Sequence, residues 1–495
     1  MKRRLRPIPT QKRARFRVPL VALVVPVLAF AILARGDAIR APLGEREAAL
    51  AIASQPQRGH LSMIPPAERG GSWTALTLAL TSMGPRLLST DEFHLRLPGV
   101  LAGSAALGAA VVLGQRLFAG RIGFAAAVLL VALPATRPLL GGQLGADPFF
   151  LFTMLIALAA MRDMSRVRVA ATYAGVAIGA SLALGGGDAV WLLAVAIAWL
   201  RFNQGLNRRS FLAVVGTAIL TAGLAALCGQ LWLMRGSTSA LAFPFRGMRP
   251  QLSDALVPVN LGRSLLPLAP LAVLGIAVLP PGWSQNRSLR FTGLWLLFSL
   301  TSAALGGSFA PAYVAVLFFT AMLAVWGLER ARRLASAAAV AAAAAAAVAV
   351  FGLPSSTMSD AALESWAVRE TGRFVWRMIP ADRPVAAASG ARQRLSYYGR
   401  RPVEPLDPAA AAASSADYLV LPELAFRGLL GAQGRGAARS AAPRDGSLKM
   451  IAQFGPWVVA RVHGQVAPDP ARAATEAPDG SRTSPSIRPS AEKKS

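Results

Sequence analysis

Long apolar runs recur along most of this chain, with short loops between them. Many approach the roughly 20 residues that a helix needs to cross a bilayer. Only 15% of the 495 residues are charged, whereas soluble domains carry about 25%. The sequence therefore predicts an all-α polytopic membrane domain with about eleven transmembrane helices. The predicted spans lie near 18–34, 98–118, 121–140, 148–163, 169–186, 189–203, 211–234, 263–281, 291–308, 311–328 and 335–353.

The positions of the basic residues predict the orientation of these helices. The net charge of +28 comes from short Lys and Arg clusters between apolar runs, which follows the positive-inside rule and argues against nucleic acid as a partner. Residues 1–17 form a basic cytoplasmic N-terminus, followed by an uncleaved signal-anchor, with a cleaved signal peptide as the competing interpretation. The short opposite loops 185–189 and 305–311 contain no Lys or Arg. We therefore expect a multi-pass membrane protein with its C-terminus outside the cytoplasm.

Longer outer segments divide the chain further. The transmembrane domain, 18–353, includes the segment 35–97, where GEREAALAIAS and SWTALTLALTSMG predict short helices on the outer interface. Residues 354–463 predict a small extracytoplasmic α/β domain, with helices near 360–378 and 422–431. Its strands are expected in PVAAAS, ADYLVLPE and MIAQFGPWVVARV. The tail 464–495 is rich in Pro, Ser, Ala and charge, which predicts disorder.

Motifs of several other enzyme classes are missing from the sequence. It contains no P-loop, no G-x-S-x-G and no dinucleotide fingerprint. His60, His94 and His463 have no metal-ligand spacing. The single cysteine, Cys228, excludes an intramolecular disulfide and a Cys-based metal site.

One acidic residue lies at the start of an apolar segment. In GGQLGADPFFLFTMLIALAAM, Asp147 precedes a proline and a long apolar run. A structural interpretation is that Asp caps a helix whose first residue is Pro. A functional interpretation is that an acid at the end of a membrane helix takes part in chemistry at the bilayer surface.

Further charged residues are predicted on the same outer face as Asp147. Such a group suits one task, because a carboxylate can deprotonate or orient an acceptor hydroxyl while a cation stabilises a phosphate leaving group. Taken one at a time, each is more often a solvated loop charge. These residues are Glu45, Glu47, Glu68, Arg69, Asp91 and Glu92.

The stretch from DEFHLRLPGVLAG to GADPFFLFTMLIALAAM resembles the core of GT-C fold glycosyltransferases that use polyprenyl-phosphate sugars. These are enzymes of the protein O-mannosyltransferase and aminoarabinose-lipid A transferase kind. The matching pieces are RLP at Arg96–Pro98, RLFAGR, and the acid with its apolar run at Asp147. SYYGRRPVEPLD and ADYLVLPE are similar to the outer domain of bacterial members, which implies a location in a bacterial inner membrane. The resemblance covers most of residues 15–463.

The resemblance implies roles for individual residues. Asp147 matches the family's second acid. Glu68 and Arg69 resemble its Glu-Lys pair on the first outer loop, and Arg69 retains the positive charge that faces the donor phosphate. Arg96 corresponds to the RLP arginine, implying a place at the donor phosphate, and an interfacial anchor at a helix start is the alternative.

The sequence also departs from the family pattern. Where the family has Asp-Glu after its first span, this chain has GEREAALA, so that Glu47 matches the Glu and Arg46 replaces the Asp. A shifted register would let Glu45 serve instead. The family's Lys-Gly near the end of its fifth span is replaced by GGGD at Gly185–Asp188.

The resemblance implies an inverting hexosyl- or pentosyltransferase. It would move a sugar from a polyprenyl-phosphate-linked donor to a lipid, glycan or protein hydroxyl, with membrane lipids around it and no cofactor or metal beyond the donor. Glu47 or Glu45 and Asp147 would act on the acceptor, and Arg69 on the phosphate. A catalytically lapsed relative that binds polyprenyl-linked glycans is the alternative. A transporter ranks last, since inverted repeats and polar residues deep within the spans are not found.

Overall fold

A computed structural model gives the fold of most of the chain. It describes residues 20–35, 37–54, 74–88, 91–118, 120–132, 138–141, 144–164, 168–185, 189–204, 208–234, 273, 276–277, 286–304, 310–334, 360–388, 390–406, 416–434 and 448–462. The helices described before residue 335 are α1 (Leu20–Arg35), α2 (Asp37–Arg40), α3 (Glu45–Ser54), α4 (Ala75–Leu87), α5 (Glu92–Leu117), α6 (Gly120–Ala132), α7 (Asp147–Asp163), α8 (Arg168–Gly185), α9 (Val190–Gln204), α10 (Arg208–Met234), α11 (Arg287–Ala304) and α12 (Ala310–Leu334).

The predicted apolar runs up to residue 234, and both runs between 291 and 328, each overlap one of these helices. Among the described residues, two helical stretches, Glu92–Leu117 and Arg208–Trp232, are long and apolar enough to cross a membrane. The predicted span 335–353 lies outside the described residues, as does all but three positions of 263–281. The mostly helical fold is thus confirmed, while the number of eleven spans stays a prediction.

The polar start of α5 lies outside the apolar run that predicted this helix. α5 begins at Glu92 rather than near residue 98, because the Asp91 side chain caps it by accepting a 2.8 Å hydrogen bond from the His94 backbone N–H. α3 and α4 are the two short helices predicted within 35–97. α4 packs against α5 and α10.

Glycines let neighbouring helices of the bundle approach closely. A Cβ atom at Gly175 on α8 would lie 1.8 Å from Oγ1 of Thr217 on α10, and one at Gly179 would lie 2.4 Å from the carbonyl oxygen of Ala218. Close backbone approach at small residues is typical of helix pairs in membranes, where packing drives association. The main apolar core runs through α5, α7, α8 and α9.

The C-terminal region is a small α/β fold, as the sequence predicts in outline. Its sheet has the order β2-β1-β3-β5-β4, with β1 parallel to β2 and β3, and β5 antiparallel to β3 and β4. Helix α14 and strand β2 are additions to the predicted elements. The elements are α13 (Asp360–Met378), β1 (Val385–Ala388), α14 (Arg392–Gly399), β2 (Glu404–Leu406), β3 (Tyr418–Pro422), α15 (Glu423–Gly434), β4 (Leu448–Phe454) and β5 (Trp457–Val462).

Candidate active site

A buried ion pair joins the starts of α3 and α5. The Arg96 side chain is 2% exposed, and its guanidinium meets the Glu47 carboxylate with two parallel bonds, Nη2 to Oε2 at 2.8 Å and Nε to Oε1 at 3.0 Å. This bidentate geometry is the strongest form of an Arg–carboxylate contact. The two residues were assigned separate roles from the sequence, and the structure places them in one unit.

Both oxygens of Glu47 are engaged a second time by backbone N–H groups. The Leu144 amide donates to Oε1 at 2.6 Å, and the Gly44 amide donates to Oε2 at 2.9 Å. A carboxylate has about four acceptor positions, so these four bonds fill them. This geometry favours a role in holding the segments around Gly44 and Leu144 over a role in taking a proton.

The Arg96 guanidinium is also hydrogen-bonded to other groups of the protein. Its Nη1 donates to the carbonyl oxygens of Ile39 at 3.1 Å and Ala41 at 2.6 Å, in addition to the pair with Glu47. The expected direct contact with a donor phosphate does not fit a guanidinium that is buried and bonded in this way. The alternative of an interfacial anchor does not fit either, because the head group points into protein rather than to a surface.

Asp147 lies in a different environment. It is exposed and is the first residue of α7, with Ala146 as the N-cap and Pro148 following in the first turn. The interpretation of Asp147 as the N-cap is therefore shifted by one position, and its structural contribution is instead a favourable interaction with the helix dipole. The preceding residues Leu144 and Gly145 line a crevice together with Arg96 and Phe149.

The Glu45 side chain is hydrogen-bonded to residues of the C-terminal region. Its carboxylate accepts hydrogen bonds from the backbone N–H of Gln393 at 2.5 Å and of Arg394 at 3.3 Å, and from Nε of Arg394 at 3.3 Å. Glu45 thereby caps α14, whose own N-cap residue, Ala391, has no side-chain acceptor. Burial raises the pKa of Glu45, and the contacts with Gln393 and Arg394 oppose that shift. A role for Glu45 as the catalytic acid is not favoured by this geometry.

Two expected site residues cannot be placed. Glu68 and Arg69, with the neighbouring Trp73, lie outside the described residues. Within the described part of the chain, no group of three or more His, Cys, Asp or Glu side chains is arranged to hold a metal ion.

Tyr398, which was not among the predicted site residues, joins the C-terminal region to this site. Its hydroxyl accepts a 2.8 Å bond from the Leu43 N–H and donates to Oε1 of Glu92 at 3.2 Å. The residues in the first contact are 355 positions apart, so no local pattern could indicate it. Two adjacent tyrosines within the basic stretch SYYGRR were the only available signal.

The chain is similar to known proteins in its fold. No protein-family model matches the sequence, and no curated protein matches it. The structure is similar to the crystal structure of ArnT from Cupriavidus metallidurans in the apo state, with a TM-score of 0.59, 14% identity, and coverage of 89% of this chain and 97% of ArnT. ArnT bound to undecaprenyl phosphate gives a TM-score of 0.57 and 15% identity over the same shares.

A second enzyme also has a similar fold, with a lower TM-score. The apo oligosaccharyltransferase of Archaeoglobus fulgidus gives a TM-score of 0.52 and 12% identity, over 81% of this chain and 69% of that enzyme. ArnT and this oligosaccharyltransferase are GT-C fold glycosyltransferases. The chain therefore has the GT-C fold that its sequence resembles.

Proposed function

We propose that this protein is a membrane glycosyltransferase. It transfers a sugar from a polyprenyl-phosphate-linked donor to a hydroxyl group of a lipid, glycan or protein acceptor on the extracytoplasmic face, with inversion at the anomeric carbon. The observation that carries the proposal is the arrangement around Asp147. An exposed acid begins α7, beside a crevice whose Leu144 is tied to the buried Glu47–Arg96 pair.

The fold supports the choice of donor. This chain shares its fold with two glycosyltransferases over most of its length, and one of them, ArnT, was crystallised with undecaprenyl phosphate. A fold by itself hosts many activities, so the proposal rests on the acid site and the fold together. The long apolar helices Glu92–Leu117 and Arg208–Trp232 suit a substrate that is held in a membrane.

In the proposed reaction, the Asp147 carboxylate takes the proton of the acceptor hydroxyl as its oxygen attacks the anomeric carbon. The new C–O bond forms while the bond from the sugar to the phosphate oxygen breaks, and that oxygen leaves with the electron pair as polyprenyl phosphate. A cation beside the phosphate stabilises the negative charge that develops on it. Arg69 is our candidate for that cation, with Glu68 next to it.

Glu47 and Arg96 take positioning roles in this scheme. The Arg96 guanidinium fixes the Glu47 carboxylate, which holds the Leu144 amide three residues before Asp147. A catalytic group is effective only if it is held in a near-attack geometry. The pair therefore supports the acid without touching the reacting atoms.

The reaction is tested by measuring the carrier product. Purified protein is incubated with lipid extracts containing polyprenyl-phosphate sugars, and free polyprenyl phosphate is quantified over time, with heat-inactivated protein as the control. The proposal predicts release of polyprenyl phosphate that depends on an acceptor. Retention of the intact sugar-lipid without release would instead support the lapsed relative that binds polyprenyl-linked glycans.

The contacts also distinguish two ends of the helical region. One end holds the starts of α3, α5 and α7 together with the C-terminal region, through the bonds of Glu47, Glu45 and Tyr398. At the opposite end, Arg116 at the close of α5 pairs with Asp163 at the close of α7 at 2.8 Å. We place the first end outside the cytoplasm, following the positive-inside rule.

The orientation is tested with reporter fusions at the C-terminus. An alkaline phosphatase fusion should be active and a GFP fusion dark, because only an extracytoplasmic C-terminus lets the phosphatase fold. The reverse pair of results would overturn the proposed orientation.

A further inference from the structure

Tyr398 occupies a buried position between the C-terminal region and the helical region. It packs in an apolar cluster with Leu43, Ala48 and Leu95, and is 8% exposed. Its place on α14 is fixed from behind by α13, since a Cβ atom at Gly372 would lie only 2.5 Å from the Tyr398 Cβ. The ring is therefore held by protein on both sides.

The Tyr398 hydroxyl uses both of its hydrogen-bonding capacities across this interface. It accepts from the Leu43 N–H and donates to Glu92. The same Glu92 oxygen lies 3.4 Å from Nη1 of Arg369 on α13. Burial and the Glu92 charge both raise the pKa of Tyr398, so this hydroxyl keeps its proton.

The loop between α2 and α3 is held from two directions. Tyr398 binds the amide of Leu43, and Glu47 binds the amide of the next residue, Gly44. On the other side, Arg96 binds the carbonyl oxygens of Ile39 and Ala41. Two consecutive amides thus connect a residue of the C-terminal region to the ion pair of the candidate site.

The connection continues to the helix that bears the acid. Through Oε1, Glu47 also holds the amide of Leu144, three residues before Asp147. Leu144 in turn packs against the cluster that contains Tyr398. The chain of contacts from Tyr398 to the start of α7 therefore consists of both hydrogen bonds and apolar packing.

We propose that Tyr398 is a positioning residue that couples the C-terminal region to the active site by fixing the Leu43–Gly44 amides and, through Glu47, the start of α7. The role rests on the proposed function of Asp147. It assigns the C-terminal region a part in catalysis, since α14 completes the support of a site built on the helical region. Tyr398 itself does not contact the substrates.

The test removes one oxygen atom. Tyr398→Phe keeps the ring in the apolar cluster but leaves the buried Leu43 N–H without its acceptor, which is a costly state for an amide. Tyr418→Phe makes the same change on β3, outside this set of contacts, and serves as the matched control. Both variants are compared with wild type in the carrier-release assay and by hydrogen–deuterium exchange.

We expect Tyr398→Phe to lower kcat about 10-fold with KM for the donor unchanged, because misplacement of a catalytic group slows the chemical step more than binding. Amide exchange in 39–47 and 144–150 should become roughly 5-fold faster. Tyr418→Phe should match wild type in both measurements. An unchanged kcat in Tyr398→Phe, or unchanged exchange in either segment, would overturn the coupling.

A different set of results would show that the proposed function is wrong. If wild-type protein releases no polyprenyl phosphate, the transferase assignment is wrong, whatever the exchange measurements show. Faster exchange in both segments of Tyr398→Phe would then still demonstrate the coupling, and unchanged exchange would refute it as well.

Discussion

The starts of α3 and α7 lie at the same end of the helical region but place their acids in opposite environments. At the start of α3, Glu45 and Glu47 are bonded to backbone amides and to the arginines Arg394 and Arg96. At the start of α7, Asp147 is exposed. Of these three carboxylates near helix starts, two are therefore bonded within the protein and one is exposed to solvent.

This difference bears on which of the three acids can act as the proposed general base. A general base needs an accessible lone pair within reach of the substrate. Glu47 has its acceptor positions filled, and Glu45 caps a helix from the C-terminal region. Of these three acids, Asp147 at the start of α7 is the exposed one.

The largest effect is expected for Asp147→Asn. The amide cannot accept the acceptor's proton, so sugar transfer should fall about 10²- to 10⁴-fold. Loss of the charge near the helix N-terminus should cost no more than about 1 kcal/mol of stability. The measurements are polyprenyl phosphate release and thermal melting in detergent.

The matched control is Asp163→Asn, the same substitution at the other end of α7. Asp163 is half-buried and pairs with Arg116 far from the site, so transfer should stay within a few-fold of wild type. Equal transfer in the two variants would move the active site away from Asp147 and remove the contrast between α3 and α7.

The next effect concerns stability. Arg96→Met leaves the Glu47 charge buried without its partner, which should lower the free energy of unfolding by about 3–5 kcal/mol. Arg116→Met breaks the half-exposed pair with Asp163 and should cost about 1 kcal/mol. Melting in detergent compares the two. Similar losses in both variants would show that the Glu47–Arg96 pair is no more than an ordinary ion pair.

Arg69 provides a test of the donor side. If its charge faces the phosphate, Arg69→Ala should reduce donor use about 10- to 100-fold, since a charge-assisted hydrogen bond contributes roughly 1.5–3 kcal/mol. Arg69→Lys should retain most activity because the charge is preserved. The readout is carrier release at several donor concentrations, and equal activity of the two variants would place Arg69 in solvent.

Local patterns predicted the helices and strands better than the site. Apolar runs and the strand-like stretches ADYLVLPE and MIAQFGPWVVARV depend on neighbouring residues, which a sequence displays directly. Helix α14 was missed because its N-terminal cap is Glu45, 348 residues away from Gln393. A cap supplied from so far away leaves no signal beside the helix itself.

The site residues show the same limit. The resemblance to GT-C glycosyltransferases indicated Glu47 and Arg96, and the position of Asp147 before an apolar run indicated that residue from the sequence itself. Their roles depend on burial and on bonds to the amides of Gly44 and Leu144, and backbone amides look alike in every sequence. The difference between the bonded acids of α3 and the exposed acid of α7 is therefore visible only in three dimensions.

The smallest effect, for Glu45→Gln, tests the supporting side of the comparison through its pH dependence. Gln keeps an oxygen that can accept from the α14 amides, so the substitution itself should cost no more than about 1 kcal/mol. Because burial raises the pKa of Glu45 above 4.5, the folded state holds this proton more tightly than the unfolded state. The stabilising contribution is then complete below about pH 4.5 and is lost as the pH rises through the folded pKa. Gln does not titrate, so the melting temperature of wild type should fall relative to that of the variant as the pH rises above about 4.5. Glu404→Gln, an exposed acid on β2, controls for the removal of one charge. The opposite trend, with wild type gaining on Glu45→Gln as the pH rises, would show that the bonds from Gln393 and Arg394 outweigh burial.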